Sequence, residues 1–386
     1  MSQLLLEEAP ATTTSAPPPE APVNAPGPRW LAPLVLIAAI AVAIGVYAGF
    51  YQHSLDLWWW MVHDRHTHYM FGLNLALDVR TGDLIRLFHD FDRMRVWGPV
   101  HPIAVALIQL VAGPDHRLAV LPSLIGFVMT IWFAFLTARR LLPTGGNAAG
   151  VLAAFFVAIS PAHRAFATDC MYESLGAGLS LACLYFYLVT LQEQSRRAAI
   201  AFGVALSILF LHKYNYWLLV LFGLTLGEFV RQPGAWFAYG LSLCRRERLP
   251  AWALAEIKQP LNWIALAIAG AALAVVATGG GIYAIGSWEV SIQEPHNLVH
   301  LAFVALVLRL VFWWRQTGRE WSLSLPATLR AVLLWHGGAI TLWFLMPKRL
   351  SYFLWFLSPN NDDQKRDSVP FMHGLPIISR AWPTTT

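Results

Sequence analysis

Charge is scarce in this chain. Asp, Glu, Lys and Arg make up 13% of its 386 residues, about half of the roughly 25% usual in soluble domains. Cysteine is scarcer still, with 3 in the whole sequence. Cys170 falls near a helix start, Cys183 within an apolar run and Cys244 in a basic loop, so no disulfide framework and no CxxC metal pattern is available. Hydrophobic residues fill the space that charge leaves, at 57% with a mean hydropathy of +0.51. Aromatics are abundant, with 18 Trp, 22 Phe and 11 Tyr, as suits a polytopic membrane protein whose amphipathic rings collect at headgroup level. A soluble enzyme, a nucleic-acid binder and a disordered scaffold are excluded on these grounds. The formal net charge of +5 reads as the excess of Lys and Arg that cytoplasmic loops carry.

Residues 1–29, rich in Ala, Pro and Thr with the run Pro17-Pro18-Pro19, cannot bury enough apolar surface to offset ordering and read as a disordered cytoplasmic tail. Leu31–Phe50 is apolar throughout its 20 residues, about 30 Å as a helix, and reads as a retained span rather than a cleaved signal. Further apolar runs are Leu118–Leu136, Ala148–Ser160, Ser174–Leu191, Ala198–Leu211, Tyr216–Val230, Leu261–Val276, Leu298–Trp314 and Ala331–Met346. The expectation is an all-α polytopic membrane protein with about nine transmembrane helices. Residues 30–346 form the membrane domain and 347–386 a short C-terminal tail.

Pro99–Gly113, about 22 Å as a helix, decides the topology, and charge arbitrates. Of the Lys and Arg residues between Arg139 and Arg319, eleven fall on one side if this segment does not cross: Arg139, Arg140, Arg196, Arg197, Arg231, Arg245, Arg246, Arg248, Lys258, Arg315 and Arg319. Arg164 and Lys213 fall on the other side, and Arg309 sits within a span, where it snorkels. The positive-inside rule then favours a re-entrant or surface helix at 99–113, a cytoplasmic N-terminus, and residues 51–117 as one large extracytoplasmic loop bearing juxtamembrane helices.

Within that loop Trp58-Trp59-Trp60 suits the interface, and His63–Asp78 reads as a helix with Tyr69, Met70, Leu73 and Leu77 at spacings of three and four. Asp64 and His68, four apart, share a face, and a carboxylate held there suits a general base. His63, Asp64, His66 and His68 also offer a divalent metal its ligand types, but adjacent residues and residues two apart diverge around a helix, so no cofactor is assigned and a metal is the weak alternative. A lone Lys213 in "LHKYNYW" between two apolar runs is costly unless it snorkels or has a partner or a task.

The segments "HDRHTHYMFGLNLALDVRTGDLIRL", "WGPVHPIAVALIQLVAG", "HRLAVLPSLIGFVMTIWFAFLTARRLL" and "AAGVLAAFFVAISPAHRAFATDCMYESL" occur in an order that resembles the N-terminal half of the GT-C glycosyltransferases. This is the polyprenyl-phosphate-sugar-dependent class that includes protein O-mannosyltransferases and lipid A aminoarabinose transferases. The resemblance spans roughly Leu31 to Val230. It rests on an acid after the first span (Asp64), a Gly-Asp turn (Gly82-Asp83), a Pro-rich helix start (Pro99, His101, Pro102), an Arg opening the second span (Arg117) and a Lys-Tyr pair (Lys213-Tyr214). The family's acidic motif is often Asp-Glu where this chain has Asp64-Arg65, so a second acid, if needed, comes from Asp83, Asp169 or Glu173. Many members also carry a soluble C-terminal domain, whereas the residues after Met346 hold "NNDDQKRD" and no apolar run long enough to fold alone.

The resemblance implies transfer of a sugar, with inversion, from a polyprenyl-phosphate donor to a protein, glycan or lipid acceptor on the extracytoplasmic face. Asp64 takes the acceptor proton; Lys213 neutralises the lipid phosphate with Arg117, Arg164 and Arg349 as helpers; His68, Asp83, His101, Asp169, Glu173 and Tyr214 support. Membrane lipids are the expected surroundings, and nucleic acid is no partner. Plainer readings stand beside these, since Arg117 and Arg164 also suit helix-end anchors and His101 a helix start. The competing functions are a transporter or flippase of a lipid-linked or anionic substrate, for which no internal repeat is visible, and a non-catalytic remnant of the scaffold.

Overall fold

Apolar runs of this length close their backbone hydrogen bonds internally, because a bilayer offers no other partners. The computed structural model accordingly is a helical assembly; it describes residues 28, 30–53, 64–94, 97–142, 144–234, 257–278, 281–285, 288–292 and 295–357. The helices are α1 (Leu31–His53), α2 (Asp64–Thr81), α3 (Leu84–Arg93), α4 (Val100–Ala112), α5 (Leu121–Leu141), α6 (Gly146–Ile159), α7 (Pro161–Ala167), α8 (Glu173–Glu193), α9 (Arg196–His212), α10 (Tyr214–Arg231), α11 (Pro260–Thr278), α12 (His296–Leu323), α13 (Ala327–Phe344) and α14 (Arg349–Phe356). One antiparallel hairpin, β1 (Gly281–Ile285) with β2 (Trp288–Ile292), pairs Gly281 with Ile292 between α11 and α12. The N-terminal tail, Trp58-Trp59-Trp60, His63, Cys244 and the "NNDDQKRD" segment lie outside the described residues.

Each of the nine apolar runs falls on a helix. By length and composition the described residues hold 5 helices able to cross a membrane (α1, α5, α8, α11 and α12), or up to 7 if each of two bent pairs is one span. The difference has visible causes. α9 has 17 residues, about 25 Å, and α10 opens on Tyr214-Asn215-Tyr216-Trp217 and ends on Glu228 and Arg231. The first bent pair, α6 and α7, turns by 63° at Ser160. There Pro161 takes the first helical position and the Ser160 hydroxyl accepts from the His163 N–H. The second, α13 and α14, turns by 102° at Pro347 and at Lys348, which adopts a left-handed φ of 67°.

The packing runs inside out, as lipid requires. Along α1 the small Ala39 and Ala43 face α5, while Leu34, Ile37, Ile40 and Ile44 are exposed. α5 crosses α8 so closely that a methyl group at Gly126 would collide with the backbone of Ser174 and Leu175, and one at Gly178 would meet the Gly126 carbonyl. Farther along, Trp217 Nε1 donates to His336 Nε2 at 3.0 Å. The imidazole proton therefore sits on Nδ1, 3.2 Å from Ser207 Oγ, and Ser207 in turn donates to the Gly203 carbonyl. This chain of bonds ties α9 and α10 to the π-helical turn Leu333–Gly337 of α13. Phe210, Tyr214, Trp343, Phe344 and Phe353 complete the seam between the two halves.

Candidate functional site

Four chain segments meet at the end of the bundle where α8 and α10 begin and α9 ends. The turn between α7 and α8 supplies Asp169, Cys170 and Tyr172; the α9–α10 break supplies His212 and Lys213; α2 supplies Arg65 and His68; the approach to α4 supplies Trp97, Gly98 and His101. The break is a single residue, Lys213, extended at φ −158 and ψ 118. Gly98 belongs there because a Cβ would collide with the backbone of Leu211 at the end of α9.

Tyr172 is the hub and is fully buried. His68 meets its ring edge-on at 4.2 Å, with His101 at 4.8 Å, His212 at 5.0 Å and Trp97 stacked at 5.7 Å. Its hydroxyl donates to the Gly98 carbonyl, and its own carbonyl accepts from His212 Nε2 at 2.8 Å. Ser123 Oγ of α5 donates to the preceding carbonyl, Met171. Burial lifts the Tyr172 phenol well above its ordinary range, with Cys170 and Glu173 adding to the shift. It likewise holds His101 neutral, its pKa lowered first by burial and then by His212 and His68. Both ring nitrogens of His101 are buried without a hydrogen-bond partner.

Two ion pairs flank the hub. Lys213 Nζ donates to Glu173 Oε1 at 2.8 Å, with side chains 15% and 24% exposed. The ammonium lies 5.4 Å from the Trp97 ring and 5.6 Å from the Tyr216 ring, within cation–π range of both. On the other side Arg65 of α2 bonds Asp169 at 2.9 Å. Thus Lys213, Glu173, Asp169, His68 and His101 come together. Arg65, Trp97, Tyr172 and His212 join them without having been singled out in the sequence, although "LHKYNYW" places His212 beside Lys213 and "DCMYESL" places Tyr172 beside Glu173.

The other candidates are placed elsewhere or engaged differently. Asp64 is the exposed first residue of α2, next to Arg65. His68 is buried, so the two i, i+4 neighbours differ in exposure. Asp83 is the N-cap of α3, its carboxylate accepting from the Arg86 N–H at 2.9 Å. Arg117 grips Asp115 through two nitrogens at 3.1 and 3.2 Å and lies over the Tyr51 ring at 4.3 Å. Burial alone would raise the Asp115 carboxyl, but those hydrogen bonds win and hold it below its ordinary value. Arg164 is exposed on α7. Tyr214 turns away toward α13, its hydroxyl accepting from Trp343 Nε1 at 3.0 Å. Arg349 is 1% exposed and donates to the carbonyls of Met94 at 2.7 Å and Phe91 at 2.8 Å.

Among the described residues no group of three or more His, Cys, Asp or Glu is placed to hold a metal ion. A cavity of about 370 Å³ between α11 and α12, lined by Asn262, Trp263, Ala265, Ala302 and Leu306 among others, contains none of the candidate residues. The basic groups Arg139, Arg140, Arg196, Arg197 and Arg231 sit at the far ends of α5, α9 and α10, where Arg140 pairs with Glu193.

Residues 97–244 match the family model described as dolichyl-phosphate-mannose-protein mannosyltransferase. The matched stretch begins at Trp97 and contains His101, Asp169, Tyr172, Glu173, His212 and Lys213, whereas Asp64, Arg65 and Arg349 lie outside it. The matched stretch is thus similar to a family of GT-C-type glycosyltransferases, on a helical chain with several helices long and apolar enough to span a membrane. No curated protein and no solved structure matches the chain.

Proposed function

We propose that this protein transfers a sugar from a polyprenyl-phosphate carrier to a protein, glycan or lipid acceptor on the extracytoplasmic face, inverting the anomeric carbon. The observation that carries this reading is the half-buried Lys213, set between Trp97 and Tyr216 at the break of two apolar helices, inside the segment that resembles a lipid-phosphate-sugar transferase family. A fixed cation where the dielectric falls stabilises the charge that develops on a departing phosphate better than one in water. The start of α4 lies against the α9–α10 break, and its end runs through Asp115 to Arg117, beside Tyr47 and Tyr51 of α1. Both ends of α4 thus sit near one end of the bundle, opposite the arginine-rich ends of α5 and α9, an arrangement that supports a helix which does not cross.

In this reading Asp64, exposed where α2 begins, takes the proton of the acceptor hydroxyl. Asp169, held by Arg65 of the same helix start, orients the acceptor. Lys213 receives the lipid phosphate, and Arg117 and Arg164 stand toward the headgroup region. Arg349, its donors turned to backbone carbonyls, shapes the wall by pinning α3.

The test is transfer of labelled sugar from a panel of polyprenyl-phosphate donors in membranes carrying wild type, Asp64→Asn or Lys213→Ala at matched expression. Asp64→Asn keeps size and removes the base, so transfer should fall about 100-fold or more, the usual contribution of a positioned acid or base. Equal transfer by wild type and Asp64→Asn removes that carboxylate from the mechanism. Absence of transfer by wild type with every donor overturns the transferase reading.

A further inference from the structure

The Lys213–Glu173 pair is unequally satisfied on its two sides. Lys213 uses one of its ammonium donors on Glu173 Oε1, with aromatic rings on its flanks. Glu173 uses one oxygen, while its Oε2 is buried without a hydrogen-bond partner. The carboxylate belongs to the first residue of α8, a helix of 21 residues whose N-cap, Tyr172, provides no side-chain cap bond. The unfilled N–H groups and the positive end of that helix favour a carboxylate in the first turn even without Lys213. Lys213 has no such alternative at its break.

We infer that Glu173 is a resident anion on Lys213, holding the seat that the donor's phosphate takes and giving way when it arrives. The inference rests on the donor-phosphate reading of Lys213 given above. The charges at the hub favour the exchange: Arg65 with Asp169 and Lys213 with Glu173 already sum to zero. A phosphate added beside the intact pair would meet the Glu173 carboxylate at close range, which is costly, whereas a phosphate that replaces Glu173 on Lys213 keeps each cation matched and leaves the carboxylate to the N-terminus of α8. The donor is a phosphodiester with one negative charge, and the departing carrier is a monoester with about 1.5 to 2 near neutral pH, by analogy with phosphorylated side chains. Competition with Glu173 therefore tilts toward the lipid as the sugar leaves. The pair also keeps Lys213 in position, with its charge matched, between turnovers.

The sign of one variant tests this. If Glu173 merely braced Lys213, its removal would weaken anion binding; if it competes, removal strengthens it. We would measure binding of geranylgeranyl monophosphate to the full-length protein in nanodiscs, with geranylgeraniol and inorganic phosphate as parallel probes. Glu173→Gln is expected to bind geranylgeranyl monophosphate about tenfold more tightly than wild type, a difference equivalent to about 1.4 kcal/mol, with geranylgeraniol unchanged. Inorganic phosphate should tighten in the same direction, and tightening there without tightening for the lipid would overturn the assignment to a lipid phosphate. Glu173→Asp, which keeps the charge at the helix terminus and withdraws it from Lys213, should shift binding the same way by a smaller factor, and it stands in if Glu173→Gln does not fold. Equal or weaker lipid-phosphate binding in the folded variant overturns the inference. Lys213→Ala separates the two claims: wild-type affinity there sinks the phosphate reading itself, while weakened affinity there with no gain in the Glu173 variants sinks only the competition.

Discussion

Lys213, partly buried, and Arg349, fully buried, are both cations expected from the sequence to face a phosphate, yet they occupy opposite kinds of seat. Arg349 spends its hydrogen bonds on groups it cannot exchange, two backbone carbonyls at the end of α3, and lies against the rings of Phe91 at 5.4 Å and Trp343 at 4.8 Å, with the exposed Asp92 more distant at 3.8 Å. Lys213 bonds a single side-chain carboxylate that has another place to go. A planar guanidinium with five fixed donors suits a permanent junction, and a compact ammonium on a flexible stem suits a partner that changes. Burial and charge are shared by both, so these two properties alone cannot mark a ligand site. The identity of the partner does.

The comparison breaks most visibly at Arg349. Arg349→Ala removes the bonds donated to the Met94 and Phe91 carbonyls, leaving Phe91 with the Met94 N–H alone, and detaches α14 from α3. Two hydrogen bonds from a charged donor, at about 1.5 kcal/mol each, put the loss at about 3 kcal/mol. The expected outcome is a clear fall in folded yield and in thermal midpoint in detergent. Arg349→Lys should recover only part of it, because a single ammonium does not reproduce the fork. A variant that folds like wild type but loses donor affinity would reverse the assignment of roles.

Lys213→Ala should do the converse, leaving the elution profile and midpoint nearly unchanged while transfer drops about 100-fold, a size typical of removing one preorganised stabilising group. Lys213→Arg should restore the charge without the fit between Trp97 and Tyr216 and recover a minor part of the activity. If Lys213→Ala instead unfolds the protein, the ion pair is a structural staple like Arg349 and the contrast between the two seats disappears.

The same contrast explains what the sequence made legible. The apolar runs announced nine of the fourteen described helices because length and hydropathy are local properties, and Lys213 stood out because a lone lysine between such runs is costly. Asp83 and Arg117 also fall where the family-like order placed them, but their side chains serve a helix cap and an Asp115 clasp, uses that depend on neighbours two and three residues away. The hub around Tyr172 was hidden, since His68, the Trp97–His101 stretch and His212 come from three distant parts of the sequence and meet only through tertiary packing. The β1–β2 hairpin escaped for a different reason: its strands are too short to register among runs selected for crossing a bilayer. The bends at Ser160 and Lys348 come at the ends of two of the apolar runs and send the chain into α7 and α14, a property that composition does not carry.

The hub offers a pH test on the α4 side of the comparison. His101 is held neutral in the folded protein, while in an unfolded chain it takes up a proton near its ordinary value of 6.5. Below that pH the unfolded state binds the additional proton, so stability should be greatest above about 6.5 and fall as the solution is acidified through it. His66, lowered by burial, acts in the same direction. Thermal midpoints of the solubilised protein between pH 7.5 and 5.5 should therefore decline, and His101→Phe should flatten the decline. An unchanged slope in that variant would mean that the ring is not the group excluded from protonation.

The smallest effect sharpens the distinction between holding the wall and touching the substrate. Asp83 accepts the Arg86 N–H at the start of α3, and the other end of that helix carries the carbonyls that Arg349 grips. Asp83→Ala removes one cap, worth about 1 kcal/mol in typical helices, and Asp83→Asn should keep most of it because an amide oxygen can accept the same bond. The midpoint should fall slightly in the first variant and hardly at all in the second. The Michaelis constant for the donor should stay put in both, since Asp83 is exposed and meets neither ion pair of the hub. A donor constant that rises in both variants while the midpoint is unmoved would place the Asp83 carboxylate at the substrate and bring α3 into the site, which would extend the polar hub well beyond Lys213 and its exchangeable partner.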